Sequence, residues 1–493
     1  MTGTELLRCC WLNIYNICIK VNLFFACLLL TTCDTKRLTK YEQQQLTDNL
    51  AVAIQQFFTD DVLEQLARAT KFVQRDSKIT GQNFFDIIVF NQEQLKQQSL
   101  NDLAIDLSER YGITITKQSL HDRFNEQALA FLQHALERLL NQQLDVTPLL
   151  ATATAFQRIL IKDSICFQID ESLADSYPGS GGSGSAAAVR IQFEYDLLNG
   201  HINDLSVQAF NNQDATDSFD TLELTQQGDL IIRDLAYINF RVIKGLIAKG
   251  AALLCRLQYS VNVYELTDNG YEVLDFVKLR TFMQHNKLAV LEKVVYLGVA
   301  ERLKLRLIIQ LLPDDVVAQR LRKAQKNNNK KARKQLTKAY KARAALNLFI
   351  TNATEDQIPM TTVGSLYRLR WQIELMFKIW KSLCHIDKVK KVKKERLECY
   401  IYAKLIGIVL SWQIIWAVAK FTLTKDNKAL SYYKAFKTML RVKFRELRAI
   451  LFYGKGSIRQ FMIEFYNLSN IKHLLEKKQQ KPTSIQILIT CLI

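Results

Sequence analysis

The run from Tyr367 to Lys381 spaces four chemically capable residues as Y-x2-R-x3-E-x6-K: Tyr367, Arg370, Glu374 and Lys381. No Pro or Gly interrupts it, which predicts a helix. At 100° per residue these four side chains fall within an arc of roughly 60°, with Lys378 close to the same line. Leu366, Ile373, Phe377 and Trp380 supply apolar flanks to pack such a helix down. An Arg/Glu/Lys stripe is ordinarily a surface salt-bridge ladder of little energetic weight. This one sets a carboxylate beside a tyrosine and two or three cations, and Arg in particular suits bidentate phosphate contact while Lys acts as a point charge.

The elements around that helix read as a mixed α/β sheet. Phe156 to Asp163 is a strand ending in a carboxylate, and Asp229 to Asp234 is a short strand of the buried kind ending in another. Between them lie the Gly/Ser-rich run Gly179–Ser185, a strand at Val189–Tyr195, and an Asn199-Gly200 hairpin turn into Ile202–Val207. A helix over 240–248 and strands at Ala251–Leu257 and Leu346–Thr351 complete the pattern. Asp170, Glu171, Asp175 and Asp229 compete with Asp163 and Asp234 as candidate ligands. Asp229 opens its strand whereas Asp234 closes it, and ligands at a sheet cluster at one edge, which favours Asp234.

In these blocks the chain resembles the bacterial insertion-sequence transposases that carry a "YREK" signature and a DDE catalytic centre. The signature residues match as Tyr367, Arg370, Glu374 and Lys381. Asp163-Ser164 with the Pro178-Gly179-Ser180-Gly181 turn is similar to the family's first Asp block, and Asp234-Leu235-Ala236-Tyr237 to its second. Departures are Ile165 where a Thr is usual and Ala236 where a Gly is common; neither removes a carboxylate. The resemblance covers roughly residues 50–420. It implies an RNase-H-like fold with Asp163, Asp234 and Glu374 as catalytic metal ligands. It also implies that Tyr367, Arg370 and Lys381, with Lys378 beside them, contact DNA at the transposon end, and that a hairpin intermediate forms on the flanking ends. Three carboxylates suit phosphoryl transfer with two divalent cations about 3.5–4 Å apart. Mg²⁺ (or Mn²⁺), a hard ion, takes such oxygen ligands.

Composition agrees with a nucleic-acid partner. Against 48 Asp+Glu stand 66 Lys+Arg, a formal charge of +18 that favours a polyanion. From Arg320 to Arg343 eleven Lys/Arg occur without one acidic residue, a run expected to lie along a phosphate backbone. The 493 residues allow two to four domains, and 48% hydrophobic residues allow a substantial core. Ten cysteines without any C-x-x-C pair indicate buried thiols in a reducing cytoplasm and no zinc knuckle.

The domain organisation expected is as follows. Residues 1–40 form an apolar leader: an export signal, an anchor or a dispensable extension, the last preferred. No Met follows Met1 until Met283. Residues 41–150 form a helical DNA-binding region. Within it Ser99 caps one helix, Tyr111-Gly112 turns, and a second helix from near Thr116 exposes Lys117, Gln118, His121 and Arg123: a helix-turn-helix or an ordinary helical hairpin. Residues 151–258 and 346–420 are the two parts of the catalytic core, 259–345 a β-rich insertion with the basic run, and 421–493 a helical C-terminal region. The uncharged stretch Leu405–Ala419 fits a buried core helix better than a membrane span. The function expected is an insertion-sequence DNA transposase, a homodimer on transposon ends and target DNA, with no membrane partner. An inactive DNA-binding relative is the alternative, and a membrane-anchored basic protein resting on residues 11–33 is the third.

Overall fold

The computed structural model describes residues 51–91, 99–142, 154–180, 185–212, 214–234, 239–257, 259, 261–330, 336–476 and 484–492. The leader 1–40 lies outside these. The chain divides into two compact units, one of residues 63–410 with 478–493 and the other of the residues up to 62 with 411–477.

The first unit holds a ten-stranded sheet. Its strands are β1 Arg158–Gln168, β2 Ala188–Asp196, β3 Ile202–Ala209, β4 Asp229–Arg233, β5 Ala252–Arg256, β6 Val263–Thr267, β7 Gly270–Val273, β8 Val290–Leu297, β9 Leu303–Leu311 and β10 Leu346–Thr351. They are ordered β3-β2-β1-β4-β5-β10-β9-β8-β6-β7. β1, β2 and β3 form an antiparallel meander, and β4 and β5 add parallel to β1. That order and those directions make the RNase-H-like core the sequence predicts. The β-rich stretch beyond it does not fold as a separate sheet: β9 pairs antiparallel with β10, so the core sheet runs on through β9, β8, β6 and β7.

Local sequence explains the pieces. β4, Asp-Leu-Ile-Ile-Arg, is buried along its whole length, as a parallel strand covered on both faces must be. The β2–β3 hairpin closes at Asn199-Gly200, where Gly200 takes φ +75°, a left-handed value that a glycine adopts without strain. β1 runs five residues beyond the predicted end at Asp163, because Ser164 to Gln168 still pair with β2 after the ladder to β4 has ended.

One face of the sheet carries the helices Asp214–Leu224 and Phe240–Ala248. Val242, Ile243 and Leu246 join Leu160, Ile231 and Leu253 in one apolar core there. The other face receives the helix Trp371–Ser382, whose Phe377 and Trp380 rings lie 6.2 and 4.8 Å from Phe193 of β2.

Helices flank the sheet in sequence on both sides. Before it, Leu100–Tyr111 starts in a reciprocal Ser99/Asp102 capping box and ends at Gly112 with φ 67°. Lys117–Arg123 follows, capped by Thr116, and Phe72, Phe84, Phe124 and Phe131 make the buried centre of this part. After it, the uncharged stretch falls within the 33-residue helix Lys394–Asp426, and 89% of that helix's apolar window is buried inside the protein. Cys255, Cys384, Cys399 and Cys491 are buried thiols, and Cys166 is half-buried.

Candidate active site

Strand alternation decides which side chains meet. Residues next to each other on a strand point to opposite faces. Ile161 pairs with Ile232 in parallel register, so continuing the ladder two residues places Asp163 of β1 beside Asp234 just past β4, on the face that receives the Trp371–Ser382 helix. The stretch leading into that helix is not uniform α-helix. Val363–Tyr367 is α-helical, Arg368–Arg370 tightens into a 3₁₀ turn, and the α-helix resumes at Trp371. The turn rotates Tyr367 relative to Glu374, so the four signature residues are not the single straight stripe of the sequence prediction.

Arg370 is the hub. Its guanidinium donates to Asp163 Oδ2 at 2.9 Å and, through its other terminal nitrogen, to Glu374 Oε1. The Tyr367 hydroxyl donates to Asp234 Oδ1 at 3.4 Å, and its ring packs 5.2 Å from Phe349 of β10. Tyr367 and Arg370 are buried, whereas the Asp163 and Glu374 side chains keep 24% and 35% of their surface open. Three acids from three distant segments thus face solvent around a buried cation.

The electrostatics follow from that burial. Desolvation, then the Asp234 carboxylate, push the Tyr367 hydroxyl well above its ordinary range, so it keeps its proton. Burial alone would lower Arg370. The surrounding Tyr367, Asp234, Asp163 and Glu374 outweigh it and raise Arg370 instead.

The two lysines stand apart from this centre. Lys381 is exposed and reaches the Cys166 carbonyl of β1 at 3.4 Å, and Lys378 is exposed one turn earlier. The competing acids are also apart. Asp229 points to the opposite sheet face, where it accepts two hydrogen bonds from Arg158 at 2.8 and 2.7 Å. Asp170 caps a short turn through Ser172 and pairs with Lys391 at 3.4 Å.

Among the described residues no group of three His, Cys, Asp or Glu side chains is close enough to hold an ion as it stands. The guanidinium takes the place between Asp163 and Glu374. The donor set nevertheless fits a hard divalent cation: it is all carboxylate oxygen, lies on one sheet face and is open to solvent.

Against known proteins, the family described as "Transposase DDE domain" matches residues 154–410. The chain belongs to that family. It is a DDE transposase, and its relatives are transposases of insertion sequences. The transposase for IS231F of Bacillus thuringiensis subsp. israelensis is 34% identical over 78% of this chain and 83% of its own length. The transposase for IS1151 of Clostridium perfringens is 30% identical over 89% of this chain and 95% of its own. A piggyBac transposase synaptic complex with hairpin DNA covers 89% of this chain and 87% of that one, at 12% identity and a TM-score of 0.40, a likeness too slight to add to the topology.

Sequence reasoning about the transposase missed the polar groups that hold the site from behind. Lys404, fully buried, donates to the carbonyls of His385 and Lys388 at 2.6 and 3.2 Å, fixing the chain just after the Glu374 helix. Asn352 brackets the start of β5, accepting from the Leu253 N–H at 2.7 Å and donating to the Ala251 carbonyl at 2.9 Å. Lys162 and Arg233 each immediately precede a candidate catalytic aspartate and are buried. The one signal for the last two was a charged residue inside an otherwise apolar strand.

Proposed function

We propose that this transposase cuts DNA at the ends of its insertion sequence and joins the 3′-hydroxyl to target DNA, with Asp163, Asp234 and Glu374 as the ligands of two divalent cations, Mg²⁺ or Mn²⁺. The observation that carries this reading is the convergence of those three carboxylates, each from a separate stretch of chain, on one turn: Asp163 and Glu374 on Arg370, and Asp234 on Tyr367. Bound there, divalent cations supply the Lewis acidity that phosphoryl transfer requires. The chain's own groups supply position. Arg370 carries a planar fork of donors of the kind that matches a phosphate, and we assign to it the backbone of the non-transferred strand. Tyr367, kept protonated by burial, remains a hydrogen-bond donor that orients Asp234. Lys381 and Lys378 add point charges on the exposed side of the helix.

The same reading extends to the rest of the chain. Residues 41–150 bind the transposon end, with the Lys117–Arg123 helix against the duplex. Residues 151–258 and 346–420 form the catalytic core around the 259–345 insertion, and 421–493 form the helical C-terminal region. Two copies pair on the two ends, in the cytoplasm where bacterial DNA lies.

The test uses the purified full-length protein with DNA carrying its own element's inverted repeats. Mg²⁺- or Mn²⁺-dependent nicking is expected, falling by about 10³-fold or more in Asp163→Ala, Asp234→Ala and Glu374→Ala while end binding persists. Nicking retained in Glu374→Ala refutes the assignment of that ligand. End binding without nicking by the wild-type protein indicates an inactive relative.

A further inference from the structure

On the sheet face opposite the carboxylates lies a row of buried charges in the same register. Lys162 of β1, fully buried, pairs with Asp204 of β3 at 2.5 Å and with Asp217 of the Asp214–Leu224 helix. Arg233 of β4 pairs with Glu194 of β2 at 2.7 Å, and Glu194 also accepts from Asn203 at 2.6 Å. The ladders set Lys162 opposite Glu194 and Glu194 opposite Asp204. Continuing the β1–β4 pairing one residue past Ile161–Ile232 brings Lys162 beside Arg233. The next residue on each chain is Asp163 and Asp234.

We propose that this row is the positioning device of the active site: it fixes the register of β1 against β4, and so sets Asp163 and Asp234 side by side at the spacing their shared ions require. The inference rests on the metal-ligand reading above. Its physical basis is that a one-residue slip of β1 would carry Lys162 to the open face and drive Asp163 under the Asp214–Leu224 helix. With Asp217 and Glu194 buried and Asp204 half-buried, that slip would leave carboxylates without their cation, which is strongly disfavoured. An apolar pair at 162 and 233 would hold the strands together without opposing the slip. Buried ion pairs are an inefficient source of stability, and choosing one register is the use they serve well.

The Arg158–Asp229 pair provides the control, because it sits on the same face of the same two strands at the far end of their ladder. The experiment measures Mn²⁺ binding to the full-length protein by calorimetry, with thermal melting and metal-free binding to end DNA alongside. Glu194→Gln and Lys162→Met are expected to weaken Mn²⁺ binding about 10–100-fold with end binding retained, the range seen when groups supporting metal ligands are removed. Lys162→Arg is expected to recover much of that loss. Arg158→Met is expected to lower the melting temperature yet leave Mn²⁺ affinity unchanged. Should Lys162→Met fail to fold, the near-isosteric Glu194→Gln decides the question. Wild-type Mn²⁺ affinity in Glu194→Gln overturns the proposal, as does an equal loss in Arg158→Met. If the wild-type protein shows no Mn²⁺ binding that depends on Asp163, the metal reading itself falls and this inference falls with it.

Discussion

Arg370 and Asp163 are 207 residues apart in sequence and meet through a 2.9 Å charged hydrogen bond, while the same guanidinium also holds Glu374. One cation therefore sits where the proposed ions must bind, and it competes with them. Arg370→Ala is expected to raise Mn²⁺ affinity several-fold in calorimetry. The same change should slow nicking by about 10²-fold through loss of the phosphate contact. Weaker Mn²⁺ binding in the variant would show that Arg370 organises the acids and does not compete for them.

Tyr367 touches Asp234 through a long bond and is otherwise held by Phe349. Tyr367→Phe keeps the ring. Its cost in stability should not exceed about 1 kcal/mol by urea denaturation, whereas single-turnover nicking should fall clearly. A large stability loss with unchanged nicking would assign the hydroxyl to the fold alone.

Asp196, at the end of β2, is buried with Oδ1 accepting from the N–H groups of Ile159 and Leu198, and burial outweighs those bonds to raise its carboxyl to about 6. The folded protein thus binds this proton more tightly than the unfolded chain. The stabilisation is complete below the unfolded carboxyl's value and is lost as pH rises through about 6. Between about pH 4 and 6 the wild type should lose on the order of 3 kcal/mol from this group. Asp196→Asn, which retains the Oδ1 acceptor, should flatten that part of the urea-denaturation profile. An unchanged slope would assign the pH dependence to another group.

The basic run divides by role. Arg320 donates to Asn347 at 2.7 Å and Arg343 stacks on Tyr259 and Phe276, so both are tied into the fold. Arg322, Lys323 and Lys326 on the Asp314–Lys330 helix are exposed. Replacing these three by Ala should leave melting unchanged and lower the salt dependence of DNA binding by about 2–3 units in log–log slope. Arg343→Ala should do the reverse, losing thermal stability with little change of slope. Equal slopes for the triple variant and wild type would remove this helix from the DNA path.

What the sequence disclosed tracks how local each cause is. The Glu374 helix could be read because its residue types and spacing lie within one stretch, and Ser99 announced a helix start that the capping box with Asp102 confirms. The strand pattern indicated a mixed α/β sheet, and the RNase-H-like order came from the family resemblance. Three features stayed hidden. The 3₁₀ turn at Arg368–Arg370 arises where the chain packs against the sheet, and nothing in that run's propensity marks it. The end of β1 depended on which neighbour continued beside it. The partners of Lys162 and Arg233 come from β2, β3 and a later helix, so their charges looked like interruptions until the sheet was assembled.

The place of β10 between β5 and β9 has a consequence for how the protein is made. On the ribosome, β5 and β9 both emerge before the strand that separates them, and each presents an unpaired edge until then. When β10 is threaded between them the sheet becomes continuous, and the next helical stretch of the emerging chain is the one that carries Tyr367, Arg370 and Glu374. Closing the sheet and adding the proposed catalytic helix are thus adjacent steps of biosynthesis, and a nascent chain that has not finished the first still lacks Glu374.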